Sequence, residues 1–379
     1  MSLKSIYLDH CATSPLRPEA RAAMTAAFEL SGNPSSVHAD GRAARAVLEE
    51  ARAQVAALAG VSASAVIFTS GGTEANVLAV RSAVAAGARR LLISAVEHDC
   101  IRESALATGV PVTEIAVLAS GVIDLQALRA EIDSWSAEEG PVFLALMAAN
   151  NETGVIQPTC EAGDMIRAAG GWLHVDAVQA AGRRPIGLER FGADSLALSG
   201  HKLGGPQGIG ALVAGPRTRI VRDMPGGGQE QGRRAGTQNV IGAAGFGAAA
   251  AAASAAPGGD SGPRDLAAAR ISEAGGLVIG ATAPRLSDVL CVALPGLSSE
   301  VQVMGLDLAG VRVSAGAACS SGKVRPSRVL EAMGLGEMAG CAIRLSGGWS
   351  TRPEDWRGAA DAWIALKSRR ASRSRPAAA

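Results

Sequence analysis

The stretch Phe68-Thr69-Ser70-Gly71-Gly72-Thr73-Glu74-Ala75-Asn76 carries an apolar run, Val66 to Thr69, through a glycine turn into a helix start. A strand that turns on glycines into a helix is the building unit of α/β folds, and the free N–H groups of such a helix start attract anions. Outward from it, short apolar runs recur at Leu91 to Ser94, Val112 to Ile115, Val142 to Met147, Trp172 to Asp176 and Ser195 to Ser199, separated by helix-like stretches. That rhythm predicts an α/β fold around a mostly parallel sheet, with ligands bound beyond the carboxyl ends of its strands.

The chain of 379 residues exceeds the usual single-domain size, and two unequal domains are expected. The stretch Ala243 to Gly262 is nearly all Ala, Gly, Ser and Pro; its first part reads as an Ala-rich helix, and Pro257-Gly258-Gly259 reads as a loop at the domain boundary. Further strands are expected at Asp288 to Ala293, Val311 to Ser314 and Ala342 to Leu345, with a helix at Ser327 to Met333, which makes a smaller α/β domain. The basic tail after Lys367 is expected to fray.

Net charge is +1 with both signs dispersed, which leaves no electrostatic footprint for nucleic acid or an anionic membrane and favours a small-molecule partner. No apolar run approaches the roughly 20 residues of a membrane span, and Met1 to Tyr7 has no apolar signal core, so a cytoplasmic location is expected. The six cysteines (11, 100, 160, 291, 319, 341) lack CxxC pairs and metal-finger spacing, which argues against a disulfide framework and a structural zinc.

Only four lysines occur, and Lys202 stands out among them. It lies in Ser199-Gly200-His201-Lys202-Leu203-Gly204-Gly205, a glycine-rich turn at a strand's carboxyl end, where an amine can reach a ligand. A lysine that condenses with pyridoxal phosphate needs a carboxylate at the pyridine nitrogen, because the protonated ring is the electron sink. Asp176, in His174-Val175-Asp176-Ala177-Val178-Gln179, fits that need, and Gln179 could donate to the ring oxygen; taken alone, Asp176 reads equally well as a helix cap. Gly72, Thr73, Ser199 and His201 are the candidate phosphate ligands, and His98 could stack on the ring.

Together these segments resemble the cysteine desulfurases, class V members of the fold type I pyridoxal-phosphate enzymes, especially the iron–sulfur-cluster type. The resemblance also takes in Tyr7-Leu8-Asp9-His10-Cys11-Ala12-Thr13, Gly32-Asn33-Pro34-Ser35-Ser36-Val37-His38, Asn150-Asn151-Glu152-Thr153-Gly154, Gly226-Gly227-Gly228-Gln229-Glu230, Arg234-Ala235-Gly236-Thr237 and the loop around Cys319. It implies cofactor contacts at Gly72, Thr73, His98, Asn151, Asp176, Gln179, Ser199, His201 and Lys202, with Thr237 reaching the phosphate from the partner of a homodimer. It implies that Arg344 holds the substrate carboxylate, with Asn151 helping, as a planar fork suits bidentate recognition. The expected division is a large cofactor-binding domain, 16–250, and a small domain, 1–15 with 251–379, carrying the cysteine loop.

By the same resemblance L-cysteine becomes L-alanine. Lys202 takes the Cα proton, the Cys319 thiolate attacks the substrate sulfur to become a persulfide, and His98 carries a proton to or from the thiol. A sulfur-acceptor protein, such as an iron–sulfur scaffold or a sulfur carrier, then collects the sulfur. Lys323 and Arg325 are placed to favour the thiolate, and Cys11 and Cys100 are the competing thiols. The loop departs from the family's common pattern in reading Ala315-Gly316-Ala317-Ala318 before Cys319, and Arg344 is followed by Leu345-Ser346-Gly347-Gly348-Trp349. Alternative readings are a selenocysteine lyase or a small-amino-acid aminotransferase, for which Cys319 is dispensable, and a non-catalytic binding or regulatory protein, which would not need Lys202, Asp176 and Arg344 together. A dinucleotide enzyme is set aside because the turn at Gly71 lacks G-x-G-x-x-G spacing.

Overall fold

The computed structural model describes residues 5–256, 258–316 and 326–373. In chain order it begins with β1 (Ile6–Tyr7), α1 (Pro18–Phe28) and α2 (Ala39–Ala59). Strand–helix units follow: β2 (Val66–Thr69), α3 (Gly72–Ala85), β3 (Leu91–Ser94), α4 (Asp99–Leu106), β4 (Val112–Ile115), α5 (Leu125–Asp133), β5 (Phe143–Ala145), α6 (Thr159–Ala168) and β6 (Trp172–Asp176). Then come β7 (Ser195–Ser199), β8 (Gly210–Ala214), α7 (Val240–Ala255), α8 (Gly262–Glu273), β9 (Leu277–Ile279) and β10 (Val289–Ala293). The chain closes with α9 (Ser299–Asp307), β11 (Val311–Arg312), β12 (Ser314–Ala315), α10 (Arg328–Ala332), β13 (Ala342–Ser346) and α11 (Pro353–Arg373).

Seven strands form the larger sheet in the order β2-β8-β7-β6-β5-β3-β4. Its pairings are parallel except those of β8, which runs antiparallel to both β2 and β7. Every residue of β6 and β7 is buried, as befits central strands covered on both faces. Their side chains divide between two cores: Leu196 and Leu198 pack with α2, α6 and α7 on one face, while Ala197 packs with α3 and α4 on the other.

The second sheet, β12-β13-β10-β9, is antiparallel throughout. Its core draws on Leu290, Val292, Ile343, Leu345, Trp356 and Trp363, and Leu8 joins it from the N-terminal end. Residues before α1 therefore pack with residues beyond α7, far from them in sequence.

Several sequence expectations need correction. The single strand expected at Val311 to Ser314 is two, because β11 pairs with β1 while β12 pairs with β13. The run Val142 to Met147 outlasts β5, although Leu146 and Ala148 still donate to His174 O and Asp176 O of β6, at 3.0 and 2.8 Å. Strands β8 and β9 are absent from the sequence reading: one opens on glycine and the other has three residues, so neither carries an alternation to read. The tail beyond Lys367 continues as helix to Arg373 rather than fraying at once.

Candidate active site

Two adjoining cavities open at the carboxyl ends of β2, β6 and β7. The inner one, about 160 Å³, is lined by Gly72, Thr73, His98, Asn151, Asp176, Gln179, Ser199, His201 and Lys202, together with Asn76, Cys100, Met147, Ala149 and Val178. The outer one, about 490 Å³, shares His98, Asn151, Gln179 and Lys202 with it and adds Arg344. Thr237 is exposed and lines neither. Cys319, Lys323 and Arg325 lie outside the described residues, but Gly316 and Pro326, on either side of that segment, both line the outer cavity.

The glycine turn delivers α3 against the inner cavity. Gly72 opens α3 without a side chain because a Cβ there would sit 2.7 Å from Val178 Cγ2 and 3.4 Å from Ser199 Cβ. The helix start thus approaches the β6 and β7 ends closely, and its first two residues, Gly72 and Thr73, line the cavity at the positive end of the helix dipole. Glu74 ties the turn, accepting the Ser70 N–H at 2.7 Å and pairing with Arg234 at 2.8 Å.

Asp176 ends β6 buried at 8% exposure, too little to be an ordinary solvated carboxylate. Its Oδ1 accepts the Val178 N–H at 2.9 Å, the local capping role, while Oδ2 accepts from Asn76 Nδ2 at 2.8 Å. Gln179 donates to Cys11 O at 3.1 Å, and its Oε1 is buried without a partner. His98 caps α4: its Nδ1 accepts the Cys100 N–H at 3.1 Å, so the neutral ring carries its hydrogen on Nε2. His201 contacts Thr13 Oγ1 at 3.2 Å, and burial, reinforced by Lys202, lowers its pKa to about 4 and keeps it neutral.

Lys202 sits on the 3₁₀ turn after β7, and its Nζ donates to Cys11 O at 2.5 Å and Ala12 O at 2.8 Å. Burial disfavours the ammonium and lowers its pKa to about 8, with the charges of Arg344 and Arg183 acting the same way and those of Cys11 and Asp9 opposing. An amine with that pKa is partly unprotonated near neutral pH and can act as nucleophile or base.

In the outer cavity Arg344, on β13, donates to Asn151 O and to Asp9 Oδ1, each at 2.9 Å, while its buried Nε has no partner. Glu97 accepts the Met147 N–H at 2.6 Å, and burial, with Asp176 next, raises its pKa well above the carboxylate range. Burial likewise raises Cys100 to about 12, so this thiol stays protonated and is a poor nucleophile. Cys11 contacts Arg183 Nη1 at 3.2 Å but is buried to 1% exposure.

Asn76, Glu97 and Asp9 are site residues to which the sequence reading assigned no role. Asn76 had a legible signal: it stands four residues after Gly72, on the same face of α3, and helical side chains lean toward the N-terminus. Glu97 and Asp9 had none, since their roles depend on contacts far away in sequence.

The model of the family "Aminotransferase class-V" matches residues 6–355. A cysteine desulfurase of Cereibacter sphaeroides is 40% identical over 368 residues, covering 93% of each chain. The chain belongs to the cysteine desulfurases of the class-V aminotransferase family. Among solved structures, a NifS-like protein from Rickettsia africae superposes with a TM-score of 0.86 at 30% identity, covering 96% of this chain and 99% of that one. A structure described as SspA in complex with cysteine superposes with a TM-score of 0.78 at 27% identity, covering 90% and 98%. The family's fold type I architecture matches the seven-stranded mixed sheet and its covering helices.

Proposed function

We propose that this chain converts L-cysteine to L-alanine with pyridoxal phosphate bound in the inner cavity, and passes the sulfur to Cys319. The observation that carries the reading is that Lys202 and Asp176 line one small cavity, and that Lys202 also lines the adjoining cavity that holds Arg344. The donor set fits the cofactor. The α3 start with Thr73, Ser199 and His201 suits a phosphate, Asp176 suits a protonated ring nitrogen, His98 suits the ring face, and Gln179 Nε2, which here donates to Cys11 O, is the end able to donate to the ring oxygen.

When bound, pyridoxal phosphate supplies the electron sink that makes the substrate Cα proton removable. Lys202 Nζ, its pKa lowered to about 8 by burial, would hold the cofactor and would serve as the base that takes that proton. Arg344 binds the substrate carboxylate; its Nε is uncommitted, and Asn151 O holds the opposite side of the fork. His98 Nε2 moves the thiol proton. The Cys319 thiolate forms the S–S bond as the substrate C–S bond breaks, and the carbon gains a proton, so L-cysteine and a thiol become L-alanine and a persulfide with no outside oxidant.

Cys319 follows Gly316 by three residues, a reach of roughly 10 Å in extended chain, and Gly316 already lines the outer cavity. Thr237, exposed and outside its own cavity, is assigned to the partner's phosphate in a homodimer; the pair Arg234–Glu74 ties its loop to the glycine turn. We place the division at 16–250 against 1–15 with 251–379, following the separate cores, and the protein in the cytoplasm, with a sulfur-acceptor protein as its partner. No described helix is long and apolar enough to cross a membrane.

The test is mass spectrometry of protein loaded with pyridoxal phosphate after brief exposure to L-cysteine. One added sulfur on Cys319 and stoichiometric alanine are expected, and Cys319→Ala is expected to abolish sulfide release in the presence of reductant. Full sulfide release by Cys319→Ala sinks the transfer step. Cofactor colour that survives denaturant in Lys202→Ala sinks the lysine assignment.

A further inference from the structure

Strand β6 alternates Trp172, His174 and Asp176 on one face, since every second side chain of a strand points the same way. In a fully buried strand this is a polar stripe, and each member of it needs a partner. Trp172 Nε1 lies 2.9 Å from Ser195 Oγ on β7, and the same Oγ lies 2.8 Å from His174 Nδ1. His174 Nε2 lies 2.9 Å from Asn76 Oδ1 on α3, and Asn76 Nδ2 lies 2.8 Å from Asp176 Oδ2. Ser195 and His174 are wholly buried and Asn76 is 1% exposed, so no solvent competes for these bonds.

The direction of the bonds follows from the Asp176 end. A carboxylate oxygen accepts, so the Asn76 amide turns its hydrogens outward, one toward Asp176 and one toward Cys100 Sγ at 3.2 Å, and presents Oδ1 to His174. The imidazole therefore donates from Nε2, and its Nδ1 accepts the Ser195 hydroxyl hydrogen. That Ser195 Oγ in turn accepts from the Trp172 indole, which can only donate. Burial lowers the His174 pKa to about 3, which keeps the ring neutral. A neutral donor steadies a carboxylate without cancelling its charge, whereas an imidazolium would compete with the cofactor ring for Asp176.

We propose that His174 and Asn76 are positioning residues which, through Asn76 Nδ2, hold Asp176 in place for the ring nitrogen of the bound cofactor. The proposal rests on the Asp176 reading above. It accounts for a buried histidine and asparagine that touch no substrate, and for their arrangement as a one-way series ending on the catalytic carboxylate.

The experiment uses pyridoxal phosphate labelled at its ring nitrogen, added to the protein and to His174→Phe, His174→Gln, Asn76→Leu, Ser195→Ala and Asp176→Asn. The ring-nitrogen NMR resonance and the cofactor Kd are measured, with circular dichroism as the check on folding. His174→Phe and Asn76→Leu are expected to weaken cofactor binding about tenfold and to move the resonance toward the unprotonated ring. His174→Gln, whose amide can accept from Ser195 and donate to Asn76, is expected to keep both near the parent values. If His174→Phe does not fold, Ser195→Ala decides, with a smaller shift in the same direction expected. A parent-like resonance in every folded variant of His174, Asn76 and Ser195 overturns the proposal, as does His174→Gln proving as damaged as His174→Phe. If Asp176→Asn itself leaves the resonance in place, the Asp176 assignment fails, and the relay with it.

Discussion

Truncating Glu230 to alanine should unmake the anchor of the loop that carries Thr237. Glu230 is 4% exposed, and its two oxygens take Arg52 Nη1 at 2.6 Å and Nη2 at 2.9 Å, a bidentate pair inside the protein. Its Oε2 also accepts the Phe68 N–H at 2.8 Å, Arg52 donates to Val66 O at 3.0 Å, and the guanidinium lies 4.7 Å from the Phe68 ring centroid. Both groups therefore grip β2, the strand that leads into the glycine turn. Breaking a buried ion pair from one side costs about 3–5 kcal/mol, and orphaning the Phe68 N–H adds about 1–3 kcal/mol. Against this, Glu230 and Gln231 both hold left-handed backbone, at φ 49° and 58°, and relaxing such residues returns about 1–3 kcal/mol each. Glu49, 3.1 Å from Arg52 and half exposed, offsets part of the stranded charge. The expected net loss is about 2 kcal/mol, read by urea denaturation of the cofactor-free protein at unchanged m-value. The double variant Arg52→Met with Glu230→Leu should cost less than Glu230→Ala alone, since it buries no unpaired charge. A loss below about 1 kcal/mol, or a double variant worse than the single, would refute this account of the anchor.

Three further outcomes are expected. With the Lys202 pKa lowered to about 8, the free amine rises with pH through that value and levels off above it, so stopped-flow uptake of pyridoxal phosphate by cofactor-free protein should accelerate with a midpoint near pH 8; a midpoint at the ordinary lysine value counts against a buried amine. Arg344→Lys removes the planar fork and should raise KM for L-cysteine about tenfold with a smaller change in kcat; an unchanged KM in steady-state assays would move the carboxylate site elsewhere. Gly72→Ala drives a Cβ to 2.7 Å from Val178 Cγ2, and the overpacking should cost about 1–3 kcal/mol and weaken cofactor binding about tenfold by absorbance titration.

Because the central strands are buried on both faces, Trp172 to Asp176 and Ser195 to Ser199 were legible at their observed bounds. Nine of the ten residues assigned to the cofactor line one cavity, because an α/β sheet gathers the turns at its strands' carboxyl ends; the tenth, Thr237, lies outside it. Strand β8 was not legible, for it repays pairing on both sides rather than any pattern of its own.

What the sequence determined by itself was the kind of fold and the kind of chemistry: strand–turn–helix order, one lysine on a glycine-rich turn, one aspartate at a strand end. Tertiary structure alone decided how those groups are tuned. Lys202 is lowered by burial and by Arg344, which lies far along the chain, and Arg344 is held by Asp9 from the opposite end. The direction of the series from Trp172 to Asp176 likewise exists only once β6, β7 and α3 are packed together. Burial and hydrogen-bond direction depend on neighbours distant in sequence, and only the folded chain brings these together.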